Sequence, residues 1–134
     1  MKHVLLSLVL IATQGVAMSS NNAAQNLRAM VGHDHFAAVP SDLYAGVANS
    51  ALKSQLNARV DAAALAFASA VGEKASTTQL LTILKEQLAG IDRDTLDTED
   101  AEHVAALFEK MLGILGVQDS GGVLNDWVYG FDPA

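Results

Sequence analysis

Two imidazoles and a carboxylate stand next to one another in "HDH", residues 33–35. A His-x-His pair can hold zinc or copper when a third ligand comes from elsewhere in the fold. Two histidines in a loop are a weak indication of such a site, so we interpret this stretch as an exposed polar loop. We do not expect its histidines to converge with His103 or with an acidic residue. No cofactor is expected, and the candidate metal ligands are His33 and His35.

A dense run of carboxylates lies between residues 92 and 102. Its spacing does not fit a calcium loop, because Leu96 occupies the third ligand position of a loop that begins at Asp92. Helix capping and compensation of the helix dipole explain most of these residues. The acidic patch that remains could face a basic protein. The candidate partner-binding residues are therefore Asp94, Asp97, Glu99, Asp100, Glu102 and Tyr129.

The chain carries no motif that is diagnostic of catalysis. A nucleophile elbow, a phosphate loop, an HExxH pattern and a dinucleotide fingerprint are all absent from the sequence. We therefore expect no enzymatic activity and name no catalytic residue. The formal net charge is −7 and the basic residues are scattered singly, which disfavours binding to nucleic acid. This charge is compatible with a basic protein partner or with simple solubility.

The first residues have the three parts of a secretory signal. Lys2 is the positive region, residues 4–12 are an apolar run, and Gly15 and Ala17 are the small residues of a cleavage site. We expect residues 1–17 to be a signal peptide and the protein to be periplasmic or secreted. The competing interpretation is an amphipathic or buried N-terminal helix of a cytosolic protein.

The absence of cysteine from the 134 residues limits how the exported chain can be held. Neither a disulfide nor a lipid anchor on a cysteine is possible, so the fold must rest on its apolar core. After removal of the signal we expect no stable membrane anchor. The remaining chain, residues 18–134, is expected to be a single helical domain.

The first half of that chain predicts two helical segments. A short helix over residues 22–31 should end at Gly32. Ser41, which follows Pro40, is a good N-cap for a long stripe of apolar residues that runs over 42–71. A helix of that length is long for so small a domain, so we expect a bend or break near Asn57.

The second half has clearer local signals. Ser76 and Gln79 have the spacing of a capping box, which predicts a helix over residues 77–90. Asp97 or Thr98 should cap the next helix, which ends by Gly116. We interpret the last stretch, "VLNDWVYG", as one or two helical turns, although its β-rich composition makes a short strand possible. Together these patterns predict an all-α fold of four to five helices with a C-terminal aromatic segment that closes it.

The C-terminal segment concentrates aromatic residues in a chain that has few of them. Trp127, Tyr129 and Phe131 fall within five residues. We expect Trp127 to be largely buried against the preceding helix, with its indole N–H bonded to an acceptor, and Phe131 to help close the core. Tyr129 is the better candidate for contact with a partner. The alternative is that the whole segment is an exposed recognition surface.

The same end of the chain resembles a known family. Residues 96–133 contain an "LDTED" helix start, "FEKM" followed by "ILG", a Ser-Gly turn and "LNDWVYGFDP". These features resemble the C-terminal part of a family of small bacterial proteins known as domain of unknown function 4844. The resemblance covers less than a third of the chain. It implies a small α-helical fold and no catalytic or binding residues.

We therefore expect a non-catalytic, exported helical protein that binds another protein. An immunity or inhibitor protein is one concrete form, by analogy of size, charge and location. The alternative is a periplasmic module that binds a small ligand or a metal, either inside the helix bundle or at the "HDH" loop. A toxin-like neighbouring gene would favour the first of these hypotheses.

Overall fold

The computed structural model describes residues 20–130, and within them the fold is all-α, as predicted. Residues 39 and 44 form an isolated β-bridge, and no strand occurs in this part of the chain. No helix among these residues is both long and apolar enough to cross a membrane. The described part of the chain contains five α-helices, which are α1 (20–29), α2 (Ser50–Gly72), α3 (Thr77–Ala89), α4 (Thr98–Ile114) and α5 (Val123–Tyr129).

Helices α3 and α4 begin where their local signals predict. The Ser76 side chain accepts from the Gln79 backbone N–H at 3.1 Å, and the Gln79 side chain accepts from the Ser76 N–H at 2.8 Å. Asp97 caps α4 by accepting from the Asp100 N–H at 2.8 Å. These side chains satisfy N–H groups that the first helical turn leaves without a partner.

The predicted helix start at Ser41 and the predicted break near Asn57 are both wrong. Residues Pro40–Asp42 form only a 3-10 turn, and the next residue, Leu43, is left-handed with φ 57°. Helix α2 starts later, where the Asn49 side chain accepts from the Leu52 N–H, and it continues through Asn57 without a break. A left-handed residue cannot continue a right-handed helix, so the apolar stripe before Ser50 belongs to a loop.

The core is centred on α2. Its buried face is mostly alanine, which lets α3 and α4 approach its backbone closely and leaves room for large rings. Helix α3 contributes three leucines, and α4 contributes buried residues that include Val104, Phe108 and Met111. Fully buried side chains at the centre of this core are Val60, Ala63, Ala64, Phe67, Leu84, Val104, Phe108 and Met111.

The C-terminal segment packs against the core through Leu124, Val128 and, in part, Trp127. Leu124 and Val128 are buried, one turn apart on α5, whereas Trp127 is only half-buried against the core. Trp127 thus packs against the core, as expected, but its ring stays partly exposed because its position on this short helix lies beside the inward-facing pair. No acceptor for its indole lies within residues 20–130, and a half-buried ring leaves that donor to water.

An arginine fastens α5 to the rest of the fold. Nε of Arg93 donates to the backbone oxygen of Val128 at 2.9 Å, and Nη1 donates to that of Leu96 at 2.8 Å. A cation at the last carbonyls of a helix also complements the helix dipole. Phe131 and the predicted signal peptide, residues 1–17, lie outside the described residues.

Gly46 is the closest backbone approach in the loop between α1 and α2. Its φ is +82°, and a Cβ there would lie 2.8 Å from the Ala38 nitrogen and 2.9 Å from the Phe36 oxygen. The two loop segments that meet at Gly46 are also joined by a hydrogen bond, in which the Val47 N–H donates to the Phe36 oxygen at 3.0 Å. A side chain at this position would therefore push apart two segments of backbone that are hydrogen-bonded to each other.

We predict that Gly46→Ala destabilises the protein much more than Gly32→Ala does. Gly32 also has a positive φ, +88°, but a Cβ there would meet nothing within 4 Å. Gly32→Ala should cost about 1–2 kcal/mol from the left-handed backbone alone. Gly46→Ala should cost roughly 1–3 kcal/mol more from the steric overlap. Urea unfolding measures both, and equal losses would show that the loop is not closely packed at Gly46.

Candidate functional site

The segment between α1 and α2, residues 30–49, is irregular but is fixed by side chains from two helices. The ring of His35 is only 7% exposed, and its Nε2 lies 2.9 Å from Oδ1 of Asp61 on α2. Oδ2 of Asp61 accepts from the Gly32 N–H at 3.2 Å. Asn57, one turn earlier on α2, accepts from the His35 N–H at 2.9 Å. The predicted exposed loop is therefore a partly buried one.

Asp34 strengthens the same attachment from the outside of the loop. Its carboxylate accepts from Nδ2 of Asn57 at 3.1 Å and from Nζ of Lys53 at 3.0 Å. The hydrogen bonds from Asn57 and then Lys53 lower the pKa of Asp34. All three side chains of "HDH" are thus engaged, since His33 donates from Nε2 to the Ala29 oxygen at 2.9 Å.

Helix α4 holds the loop from its other side through His103. Nε2 of His103 donates to the backbone oxygen of His35 at 2.6 Å. The imidazole lies flat against the ring of Tyr44, with centroids 3.9 Å apart and planes 9° apart. Phe36 meets the imidazole edge-on, with centroids 5.5 Å apart. A carbonyl oxygen can only accept, so Nε2 of His103 carries the proton.

The expectation that the histidines would not converge with His103 or an acidic residue is wrong for His35. Its ring meets Asp61, and its carbonyl meets His103. These contacts are a structural network, in which each Nε2 bonds to a protein oxygen. Among residues 20–130, no group of three or more His, Asp or Glu side chains is arranged to hold a metal ion.

Tyr44 connects this network to the acidic start of α4. Its hydroxyl donates to Oδ1 of Asp100 at 2.8 Å. Burial raises the pKa of Tyr44, and the hydrogen bond and negative charge of Asp100 raise it further, with smaller contributions from Asp97 and Asp34. Tyr44 therefore lies among carboxylates, and the fold stabilises its neutral phenol over the phenolate.

Leu43 projects from the same loop into solvent. It is 89% exposed, and its left-handed backbone, φ 57°, is fixed by the bridge between Val39 and Tyr44. In that bridge the Val39 N–H donates to the Tyr44 oxygen at 2.8 Å, and the Tyr44 N–H donates to the Val39 oxygen at 3.1 Å. An exposed leucine in this conformation has neither burial nor backbone preference to stabilise it.

Three carboxylates lie close to Leu43. It borders a shallow depression of about 400 Å³ that is also lined by Asp42, Glu99 and Glu102. Tyr129 on α5 is 44% exposed and lies near Glu102. Partial desolvation, followed by the Glu102 carboxylate, raises the pKa of Tyr129. We call Leu43, Tyr129 and these three carboxylates the acidic face.

The sequence matches a known family over most of its length. The pattern of domain of unknown function DUF4844 matches residues 18–132. The chain belongs to the DUF4844 family. A crystal structure of a DUF3571 family protein from Acinetobacter baumannii AYE is 43% identical, with a TM-score of 0.78. The similarity covers 84% of this chain and 92% of that one. A search of curated proteins finds no match.

Membership of DUF4844 confirms the resemblance and extends it. The sequence features alone supported the likeness only from residue 96 onward, whereas the family match includes α1, the irregular segment 30–49 and α2. The His35 network and the acidic face both lie within the matched residues. Both are therefore features of the DUF4844 domain of this chain.

The predicted partner-binding residues of the DUF4844 chain separate into three groups. Glu99 and Glu102 lie on the acidic face beside Tyr129. Asp97 and Asp100 are engaged in the α4 cap and the Tyr44 hydrogen bond. Asp94 lies in the 3-10 turn Arg93–Thr95 and does not line the depression.

Sequence reasoning missed Leu43 and Tyr44 because it placed both in a helix. Tyr44 is spaced three or four residues from the next apolar positions, as in a helix, although it lies in the loop before α2. Apolar spacing alone does not distinguish these two cases. The one local signal was Pro40, which favours a turn at its own position. Nothing in the sequence near Leu43 indicates a left-handed residue, since leucine rarely adopts that conformation.

We predict that Tyr44→Phe flattens the loss of stability at alkaline pH. An unfolded tyrosine ionises near pH 10. Because the folded pKa of Tyr44 is raised, the folded state keeps its proton above that pH while the unfolded state loses it. Stability should therefore fall as the pH rises above about 10, and the fall should be shallower in Tyr44→Phe.

Tyr129→Phe is the matched control for this measurement. The exposed phenol of Tyr129 should contribute a smaller pH dependence than Tyr44 does. Below about pH 9 the Tyr44 variant should still be less stable than wild type by roughly 1 kcal/mol, since it lacks the bond to Asp100. Parallel stability curves for wild type and Tyr44→Phe between pH 9 and 11.5 would contradict the assignment.

Proposed function

We propose that this DUF4844 protein is a non-catalytic, exported protein that binds a basic protein partner through its acidic face. The observation that carries the proposal is Leu43, a large apolar side chain held 89% exposed in a left-handed backbone. Glycine or asparagine at this position would adopt the left-handed backbone at a lower cost in folding free energy. A contact with another protein would bury the side chain and offset this cost.

The charges around Leu43 support a basic partner. Asp42, Glu99 and Glu102 line the depression beside it, in a chain whose formal net charge is −7. Tyr129 adds a partly exposed aromatic ring, which is a common anchor in protein interfaces. An apolar centre inside a rim of one charge is an arrangement that favours both association rate and specificity.

Export is supported by the order of segments in the N-terminal sequence. The positive, apolar and small-residue regions occupy residues 1–17, and the DUF4844 match begins at residue 18. We propose cleavage after Ala17 and a periplasmic or secreted location. An immunity or inhibitor protein, which meets its target outside the cytoplasm, is the form of partner binding that best fits this location and charge.

We predict that Leu43→Asn weakens partner binding at least tenfold and stabilises the isolated protein by about 1 kcal/mol, because asparagine tolerates the left-handed region. Leu65→Gln is the matched control, since Leu65 is 47% exposed on α2 and does not line the depression beside Leu43. A photo-crosslinking amino acid at position 43, and separately at 65, would capture the partner in cells. Urea unfolding and binding to the purified partner would then compare the two variants.

The proposal requires that one basic protein crosslinks from position 43 and not from position 65. Its affinity for wild type should fall as salt is raised, and Leu65→Gln should bind like wild type. Loss of binding together with a loss of stability in Leu43→Asn would assign Leu43 a structural role instead. Equal crosslinking from both positions would show that the acidic face is not a specific interface.

A further inference from the structure

A second surface of the molecule has the opposite charge character to the acidic face. A groove of about 590 Å³ runs between α1 and α4. Its apolar wall includes Met30, Leu107 and Ile114, of which Met30 is buried and the other two are half-buried. The volume lies within the range of small-molecule sites in proteins, about 300–1,000 Å³.

The polar residues of this groove are a cation, an amide and imidazoles. Lys110 and Asn26 are exposed at its edge, together with His33. Lys110 forms no salt bridge within residues 20–130, although the chain carries 15 carboxylates. Among the residues that the structure describes, no aspartate or glutamate lines the groove. What sets Lys110 apart from the other lysines is its place, since its unpaired ammonium group lies beside an apolar wall.

We propose that this groove binds a small amphiphilic carboxylate. The ammonium of Lys110 pairs with the carboxylate, and the Asn26 side-chain amide offers a further donor. The alkyl chain lies along Met30, Leu107 and Ile114, which removes apolar surface from water on both sides. The positive charge of Lys110 favours an anion, and the apolar wall favours an alkyl chain. An inorganic anion lacks the chain and a neutral alcohol lacks the charge, so neither makes both contacts.

The alkyl chain and the carboxylate contribute to affinity separately. Each buried methylene increases the affinity about fourfold, so octanoate, with two more methylenes, should bind roughly fifteenfold more tightly than hexanoate. Octanoate should also bind several-fold more tightly than 1-octanol, because only the carboxylate pairs with Lys110. Lys110→Gln should remove this second difference and leave the dependence on chain length.

The test is a titration of the full-length protein with octanoate, hexanoate and 1-octanol, followed by amide chemical shifts. We expect saturable shifts at residues 26–35 and 107–114. Lys110→Gln should weaken octanoate at least fivefold without changing the folded spectrum elsewhere. Lys85→Gln is the control, since Lys85 is an exposed lysine of α3 that does not line the groove, and it should bind octanoate like wild type.

Three results would overturn the proposal. One is the absence of saturation by octanoate in wild type. Another is equal affinity for octanoate and 1-octanol, which would leave an apolar groove without anion selection. The third is an equal loss of octanoate affinity in Lys110→Gln and Lys85→Gln, which would show that the loss depends on the net charge of the protein and not on the position of Lys110. None of these outcomes bears on the acidic face, whose binding of a protein is measured at Leu43.

Discussion

The hydrogen bond between Nε2 of His103 and the backbone oxygen of His35 joins the irregular segment 30–49 to helix α4. This segment is long for a connection without regular structure, and it carries backbone polar groups that helices would otherwise satisfy. Side chains of α2 and α4 satisfy several of these groups, and hydrogen bonds within the segment satisfy others. Asp61 and Asn57 hold the segment from α2, and His103 holds it from α4 through its hydrogen bond and by stacking on Tyr44.

This attachment explains why the surface features of the loop are fixed in place. The Val39–Tyr44 bridge sits directly against the His103 ring through Tyr44, so the intervening residues, including Leu43, are carried on a rigid base. A strained, exposed leucine persists only where its surroundings over-determine it. The protein thus holds an energetically unfavourable apolar side chain beside carboxylates, which is the pattern expected where stability is exchanged for binding.

The sequence predicts the parts of the fold that depend on near neighbours. The Ser76 capping box and the Asp97 cap mark the starts of α3 and α4, because a cap and its N–H partner are only three residues apart. The alternation of helix and turn in α4 and α5 follows from glycines and apolar periodicity. The all-α class follows from these local patterns together.

The parts that could not be predicted depend on distant pairs. His35 meets Asp61 across 26 residues, and His103 meets the His35 carbonyl across 68. No spacing rule relates such residues, so "HDH" looked like an exposed loop. The incomplete burial of Trp127 has a related reason. Which face of a seven-residue helix turns inward is decided by its docking to α4 and Arg93, and hydrophobicity alone favoured the largest ring.

Native-state hydrogen exchange of three loop amides tests most directly whether this segment is a fixed part of the core. The N–H groups of Val39, Tyr44 and Val47 donate to loop carbonyls at 2.8, 3.1 and 3.0 Å. If the network holds the segment, their opening free energies should lie within about 1–2 kcal/mol of those of the central α2 and α4 amides. Exchange of these three amides at the rate of an unstructured peptide, while α2 and α4 stay protected, would contradict the account.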